Sequence, residues 1–297
     1  MARLILHSDD LGLHPAVDEA IFDCARAGTL SSASLLANGA STESAVSTAR
    51  TMPELGIGVH LNIVRGRPIS PVSKVRSLVD GRRGGFFNSM ATLLARSRLG
   101  LLDAAEIEGE YALQIERLLD LGVRLTHVDS EKHSHILIPQ ASAAVARVCA
   151  RFGIGKIRKI NEVGLLTKLG LRTSASWKTR GKRWLLDRNT RERAHLWSGL
   201  IGTDYTFGLA MAGCADPAAG LAVANSIFDA QGDFSVEWFF HVGRPLDYQS
   251  LAADFGTFAM RSEREAESTF LLSERMRHLV RARRSTVVSY AALGRTP

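Results

Sequence analysis

Between Leu125 and His135 the chain reads LTHVDSEKHSH, and His127, Asp129, Glu131, His133 and His135 occupy every second position. In an extended backbone, side chains at i, i+2 and i+4 leave one face, so this spacing sends five metal- or proton-binding groups in one direction. Few folds accept that. An inward strand face ordinarily carries apolar residues, and each polar group buried without a partner costs roughly 2–7 kcal/mol. The compensation expected is a divalent cation or a polar substrate, because imidazole and carboxylate are ordinary ligands of zinc and related metals. The plain alternative is a solvent-exposed polar loop.

The first residues set a pattern that recurs. Arg3 to Ser8 (RLILHS) reads as a buried strand ending in Asp9 and Asp10, Leu11 to Leu13 as a turn, and Pro15 to about Arg26 as an amphipathic helix closed by Gly28. Leu30 to Leu36 is a second strand, Ser41 to Arg50 a helix, and Gly56 to Ile63 a third strand bearing His60 and Asn62 on one parity. A helix is expected over Ala104 to Leu121, then the His-rich strand, a helix over Pro139 to Phe152, and strands over Ile154 to Ile160 and Phe234 to Val242. The last carries Glu237 and His241. A charged helix from about Arg261 to Arg283 and a final strand TVVSY complete the reading. Alternating strands and helices imply a parallel sheet. At 297 residues the expectation is one α/β domain over 1–297, a distorted (β/α) TIM-like barrel with helices outside and excursions at about 65–103 and 162–205.

Composition supports a folded core, with 45% apolar and 23% charged residues. Cys24, Cys149 and Cys214 are odd in number and far apart, which excludes a disulfide framework or a CxxC knuckle and reads as buried thiols. Two aspartates interrupt the opening MARLILHSDD, and no run approaches the ~20 apolar residues of a membrane span, so a cytoplasmic protein is expected. The net charge is +7. Much of it is local: from Lys168 to Arg193 nine Lys or Arg face only Asp187 and Glu192, with Trp177, Trp184 and Trp197 among or beside them. No nucleic-acid partner is expected. A side hypothesis is peripheral contact of residues 165–197 with the inner face of the membrane, against the commoner reading of a solvated helical insertion.

Taken singly the other candidates are ambiguous. A lone His60 reads more often as a hydrogen-bonded core histidine than as a ligand, and Asp9 and Asp10 could be a turn and helix cap. What joins them is position, since each cluster falls at an expected strand C-terminus and those ends converge at one barrel mouth. HSDDLG, GVHLN, THVDSEKHSH and EWFFH, in this order along most of the chain, resemble the YdjC-like carbohydrate deacetylases, a group that includes chitooligosaccharide deacetylase and a hopanoid-associated member. The resemblance implies a barrel related to polysaccharide deacetylases and metal-dependent removal of acetyl from an N-acetylated sugar or glycolipid. By position it implies that Asp9 is the catalytic base, free to accept a proton from water. Asp10 and His60 bind one divalent metal, Mg or Zn, His241 protonates the departing amine, and Arg158 lies near substrate.

One position departs from that pattern. After the aspartate of the His-x-Asp motif and the following Ser, relatives place a metal-binding histidine where this chain has Glu131. Glu131 is therefore expected as third ligand through oxygen, with His127 or His133 as substitutes should it turn away. His127 and Asp129 are expected deeper in the barrel, orienting ligands, while His133 and Glu237 lie beside substrate or support the ligands. Two alternatives stay open: a two-metal phosphoesterase, and a carbohydrate- or lipid-binding protein whose metal site has decayed. A homodimer is the default assembly.

Overall fold

The computed structural model describes residues 2–172, 176–210, 217–245, 255 and 263–294. Its strands are β1 (Arg3–Leu11), β2 (Ser32–Leu35), β3 (Gly56–Leu61), β4 (Val79–Asp80), β5 (Gly85–Phe86), β6 (Leu125–Ser130), β7 (Tyr205–Phe207) and β8 (Ser235–Phe240). Six of them form one all-parallel sheet in the order β6-β3-β2-β1-β8-β7, and β4 and β5 pair antiparallel apart from it. Helices return the chain between parallel neighbours: α1 (Pro15–Arg26), α2 (Thr42–Ala49), α3 (Met90–Arg98), α4 (Ala104–Asp120), α5 (Ser134–Leu137), α6 (Pro139–Phe152), α7 (Glu162–Lys168), α8 (Trp177–Arg193) and α9 (Pro217–Asp229). The expected helices at 15–26, 41–50, 104–121 and 139–152 are present. Their ends follow local chemistry: Pro15 at the first turn of α1, Asp103 accepting from Ala105 and Glu106 at α4, and Gly153 in the left-handed region after α6.

The two faces of the sheet carry different chemistry. Leu4 and Leu6 of β1, Ala33 and Leu35 of β2, Val59 of β3, Val128 of β6 and Val236 and Trp238 of β8 join the main core with the helices. The alternate residues, among them His7, Asp9, Ser34, His60, His127, Asp129 and Glu237, are buried on the concave side. The interior of this half-barrel is thus a set of hydrogen-bonded polar layers. Lower down, Ile5 packs with Tyr290 and Leu293 in a separate small apolar cluster.

Three expected strands need correction. Residues 154–160, with Gly153 before them and Gly155 among them, make only isolated bridges, Val128 with Ile157 and Lys156 with Ile201. That segment still joins the two sheet edges, since Arg158 N–H donates to the Val128 carbonyl (3.0 Å) and Asn161 N–H to Thr206 Oγ1 of β7 (2.9 Å). TVVSY is not a strand either. Val287 bridges Leu4, Val288 N–H donates to the Leu4 carbonyl (2.9 Å) and Tyr290 N–H to Ser32 Oγ (2.9 Å), so the segment closes the end where the strands begin. The His-rich strand stops at Ser130, with Lys132 (φ 50°) and His133 (φ 56°) in the left-handed region. The late charged helix is two, Glu263–Leu272 and Glu274–Ala282, because the Ser273 hydroxyl caps the second; Arg261 and Ser262 lie outside the described residues. Cys24 and Cys149 are buried thiols as expected, while Cys214 is outside the described residues. Among the described residues no helix is long and apolar enough to cross a membrane.

Candidate active site

Beneath the strand ends lies Arg158, wholly buried in the segment that joins the sheet edges. Its Nη1 and Nη2 donate to Asp9 Oδ2 and Oδ1 (2.9 and 2.7 Å), and Nη1 also lies 2.9 Å from Asp129 Oδ2. Its Nε and Nη2 reach Glu237 Oε1 (2.9 and 2.6 Å). One planar fork therefore joins carboxylates from β1, β6 and β8, a task suited to guanidinium. Burial alone would raise the Asp9 pKa, but Arg158, with His7, His60 and His241, holds it well below the usual carboxylate value. Asp129 is also depressed, burial being outweighed by Arg158 and His60. Below this level the Tyr290 hydroxyl donates to Glu237 Oε2 (2.6 Å), and the Tyr290 ring stacks on His127 with centroids 3.9 Å apart. Gly58 leaves room for that imidazole, because a Cβ there would lie 2.4 Å from its Cε1.

Above Arg158, three donor atoms converge. Asp10 sits at φ 70° where the β1–β2 register shifts between Ser8 and Leu11. Aspartate tolerates that region better than most residues. The bulge breaks the strand's alternation, so Asp10 reaches the same mouth as Asp9. Asp10 Oδ1 lies 3.8 Å and Glu131 Oε2 3.5 Å from His60 Nε2. These ligand atoms are all within 4.8 Å of one another. The outer oxygens are taken, Asp10 Oδ2 by Arg264 and Glu131 Oε1 by Arg65 Nε (3.0 Å). His60 Nδ1 contacts Asp129 Oδ1 (2.7 Å) and Ser34 Oγ (3.0 Å). With Nδ1–H given to Asp129, the Nε2 lone pair faces the two carboxylates, the orientation a metal-binding histidine requires. Burial lowers the His60 pKa, but Asp129, Glu131 and Asp9 together raise it well above the ordinary value. Two further groups, His7–His127–Asp129 and Asp9–His60–Asp129, have metal-like spacing. Their carboxylates are bonded to Arg158, which makes them poor cation sites.

The remaining candidates take separate positions. His241, just past β8, has its side chain 21% exposed and its Nε2 3.7 Å from Asp9 Oδ2. Burial lowers its pKa, partly offset by Asp9 and Asp10. Glu267, pushed up to about 7 by burial, accepts the His241 backbone N–H (2.5 Å). The left-handed turn after Ser130 means that the five alternating groups do not share one face. Glu131 reaches the mouth, whereas His133 lies edge-on to Phe239 (5.6 Å). His135 turns to Ser130 Oγ (2.6 Å) and the Arg158 carbonyl (3.0 Å), with its pKa lowered to about 4 by burial. Neither His127 nor His133 joins the Asp10–His60–Glu131 trio. Arg158, expected beside substrate, is instead sealed beneath the carboxylates. Asp9, expected to be free, has both oxygens bonded.

A family model described as YdjC-like protein matches residues 3–282. The chain belongs to the YdjC-like family. Among curated relatives, a carbohydrate deacetylase from Danio rerio is 33% identical over 164 residues, 55% of this chain and 51% of that protein. The Homo sapiens carbohydrate deacetylase is 34% identical over 51% of this chain and 46% of its own length. A chitooligosaccharide deacetylase from an Enterobacter species is 34% identical over 51% of this chain and 57% of that protein. The chain thus spans about half the length of the curated relatives it matches. A crystal structure from Enterococcus faecalis V583, provisionally assigned to cellobiose-phosphate cleavage, superposes with a TM-score of 0.73 at 20% identity over 98% of both chains. That likeness establishes the fold.

Four residues of this YdjC-like site escaped the sequence reading. His7, whose Nε2 lies 3.3 Å from Asp9 Oδ1, shares strand parity with Asp9, a signal that was available. Arg65 follows an Asn62 turn, in which Asn62 Oδ1 accepts from Val64 and Arg65 (2.9 and 3.1 Å). Arg264 and Tyr290 come from distant segments with no local signal.

Proposed function

We propose that this chain is a metal-dependent hydrolase that removes an acetyl group from an N-acetylated amino sugar, carried on an oligosaccharide or a glycolipid. The observation that carries the reading is the convergence of Asp10 Oδ1, His60 Nε2 and Glu131 Oε2 beside the Asp9–His241 pair. The donor chemistry fits a cation. Five buried carboxylates, Asp9, Asp10, Asp129, Glu131 and Glu237, face three arginines, Arg65, Arg158 and Arg264. Among the described residues the acids of this cluster outnumber its arginines by two, an excess that raises the His60 pKa and that a bound divalent ion would balance instead. Two oxygens and one imidazole nitrogen suit magnesium, manganese or zinc.

A divalent ion held by Asp10, His60 and Glu131 would act as a Lewis acid, polarising the acetyl carbonyl and lowering the pKa of water from 15.7 toward about 7. The chain's own groups handle the protons. Asp9, kept ionised by Arg158, accepts the proton of the attacking water. His241, across 3.7 Å from Asp9 and neutral at rest, relays a proton to the departing amine nitrogen, a step worth about 10²–10⁴ in rate. Asp129 fixes the His60 tautomer, and Arg158 fixes both aspartates. The test is acetate release from N-acetylglucosamine oligomers and N-acetylated glycolipids, with and without chelator. Chelator-sensitive release that returns on adding magnesium, manganese or zinc supports the reading. Chelator-insensitive release overturns the metal, and no release from any N-acetylated sugar overturns the reaction.

A further inference from the structure

Helix α8 turns Arg183, Leu186, Asp187 and Thr190 inward. Asp187 accepts the Glu162 and Val163 N–H groups (3.3 and 2.9 Å), which fastens α8 to the start of α7. The opposite face is unusual. Trp177 and Trp184, seven residues apart and so nearly in line, are 77% and 54% exposed. Lys178, Arg180, Arg188 and Arg191 are exposed beside them, and Lys182 is exposed elsewhere on the helix. Glu192, the one exposed acid of this helix, is bonded to Arg188 (2.6 Å). Lys178 lies over the Trp177 ring and Arg188 over Trp184 at 5.6 and 5.4 Å, so cations and indoles form one mixed surface.

A helix solvated for its own sake has no reason to expose two indoles. Indole prefers the boundary between hydrocarbon and water, and basic side chains next to it favour a surface of anionic headgroups. An acidic protein surface would answer the cations but not the protruding rings. The helix itself lies near the site. Helix α8 packs against α5, which directly follows the Glu131–His133 turn. We infer that the exposed face of α8 docks this protein on an anionic lipid bilayer.

The experiment is sedimentation of the full chain with vesicles of phosphatidylcholine alone and of phosphatidylcholine mixed with phosphatidylglycerol, at low and high salt. Binding is expected on the mixed vesicles only, weakened by salt. It is expected to fall about tenfold in Trp177→Ala/Trp184→Ala and in Lys178→Glu/Arg180→Glu. Tryptophan emission should shift to the blue on mixed vesicles, since Trp197 and Trp238 are already buried. Equal binding to both vesicle types, no binding, or full binding by both variants overturns the proposal. Unchanged unfolding midpoints show that the variants fold. Their acetate release from a soluble oligosaccharide should equal that of the parent, so a failed membrane test leaves the deacetylase reading standing, and the reverse.

Discussion

Asp9 and Asp10 are neighbours in sequence, yet one gives both oxygens to Arg158 while the other keeps an oxygen turned toward His60. The backbone makes the difference, since an extended Asp9 follows the strand face and a left-handed Asp10 leaves it. Their replacements should therefore separate. Asp9→Asn is expected to retain metal while acetate release falls at least about 10²-fold, and His60→Ala to lose the metal. Metal content by atomic emission beside the rate checks both, and equal metal loss would reverse the assignment. Arg65 bears on the same ion from outside. Arg65→Met removes a positive charge next to Glu131, so divalent affinity by calorimetry should rise about tenfold, by the Coulomb reckoning at partly buried sites. A fall would mean that Arg65 chiefly positions Glu131. The aspartates, His60 and Glu131 were legible because strand-end placement is a sequence property. Arg65 and Arg264 were not, because they pair across the fold.

At the scale of elements, β6 shows where alternation stops being informative. His127 and Asp129 obey it, and Glu131 reaches the mouth through a turn. Lys132 and His133 adopt φ values near +50° that nothing in KHS announces. Helices with a proline, aspartate or glycine at an end were legible almost to the residue, whereas TVVSY and 154–160 were misread because branched residues also suit isolated bridges. Helix α7 offers a test of its own. Glu162 accepts Leu209 and Ala210 N–H (2.9 and 2.7 Å), and burial pushes its carboxyl from 4.5 up to about 7. A folded-state pKa above the unfolded one means the stabilisation is complete below about pH 4.5 and disappears as pH rises through about 7. Unfolding free energy should fall by about 2–3 kcal/mol over that interval. In Glu162→Gln the fall over that interval should be smaller than in the parent by this amount, the buried Glu267 still contributing its own, as denaturant titrations at several pH values would show.

For the molecule as a whole, the convergence of strand ends was the legible part, since a parallel sheet places them together once the strands are known. The polar filling of the half-barrel was only half legible, because its partners come from β1, β6, β8, the 154–160 segment and the C-terminal plug. Tyr290 carries that plug's polar contact. Tyr290→Phe keeps the ring stack but leaves buried Glu237 Oε2 without its donor, and should cost about 1–3 kcal/mol in urea denaturation with deacetylation largely retained. A change below about 0.5 kcal/mol would show that the hydroxyl is dispensable.

The fork of Arg158 spans acids from three separate strands, and a lysine, with its single point charge, has no geometry that satisfies all of them. Architecture and chemistry are therefore knotted together at one residue. A dead enzyme bearing a change at Arg158 says nothing about proton transfer until its folding has been measured, whereas a dead enzyme altered only at His241 speaks to the reaction itself.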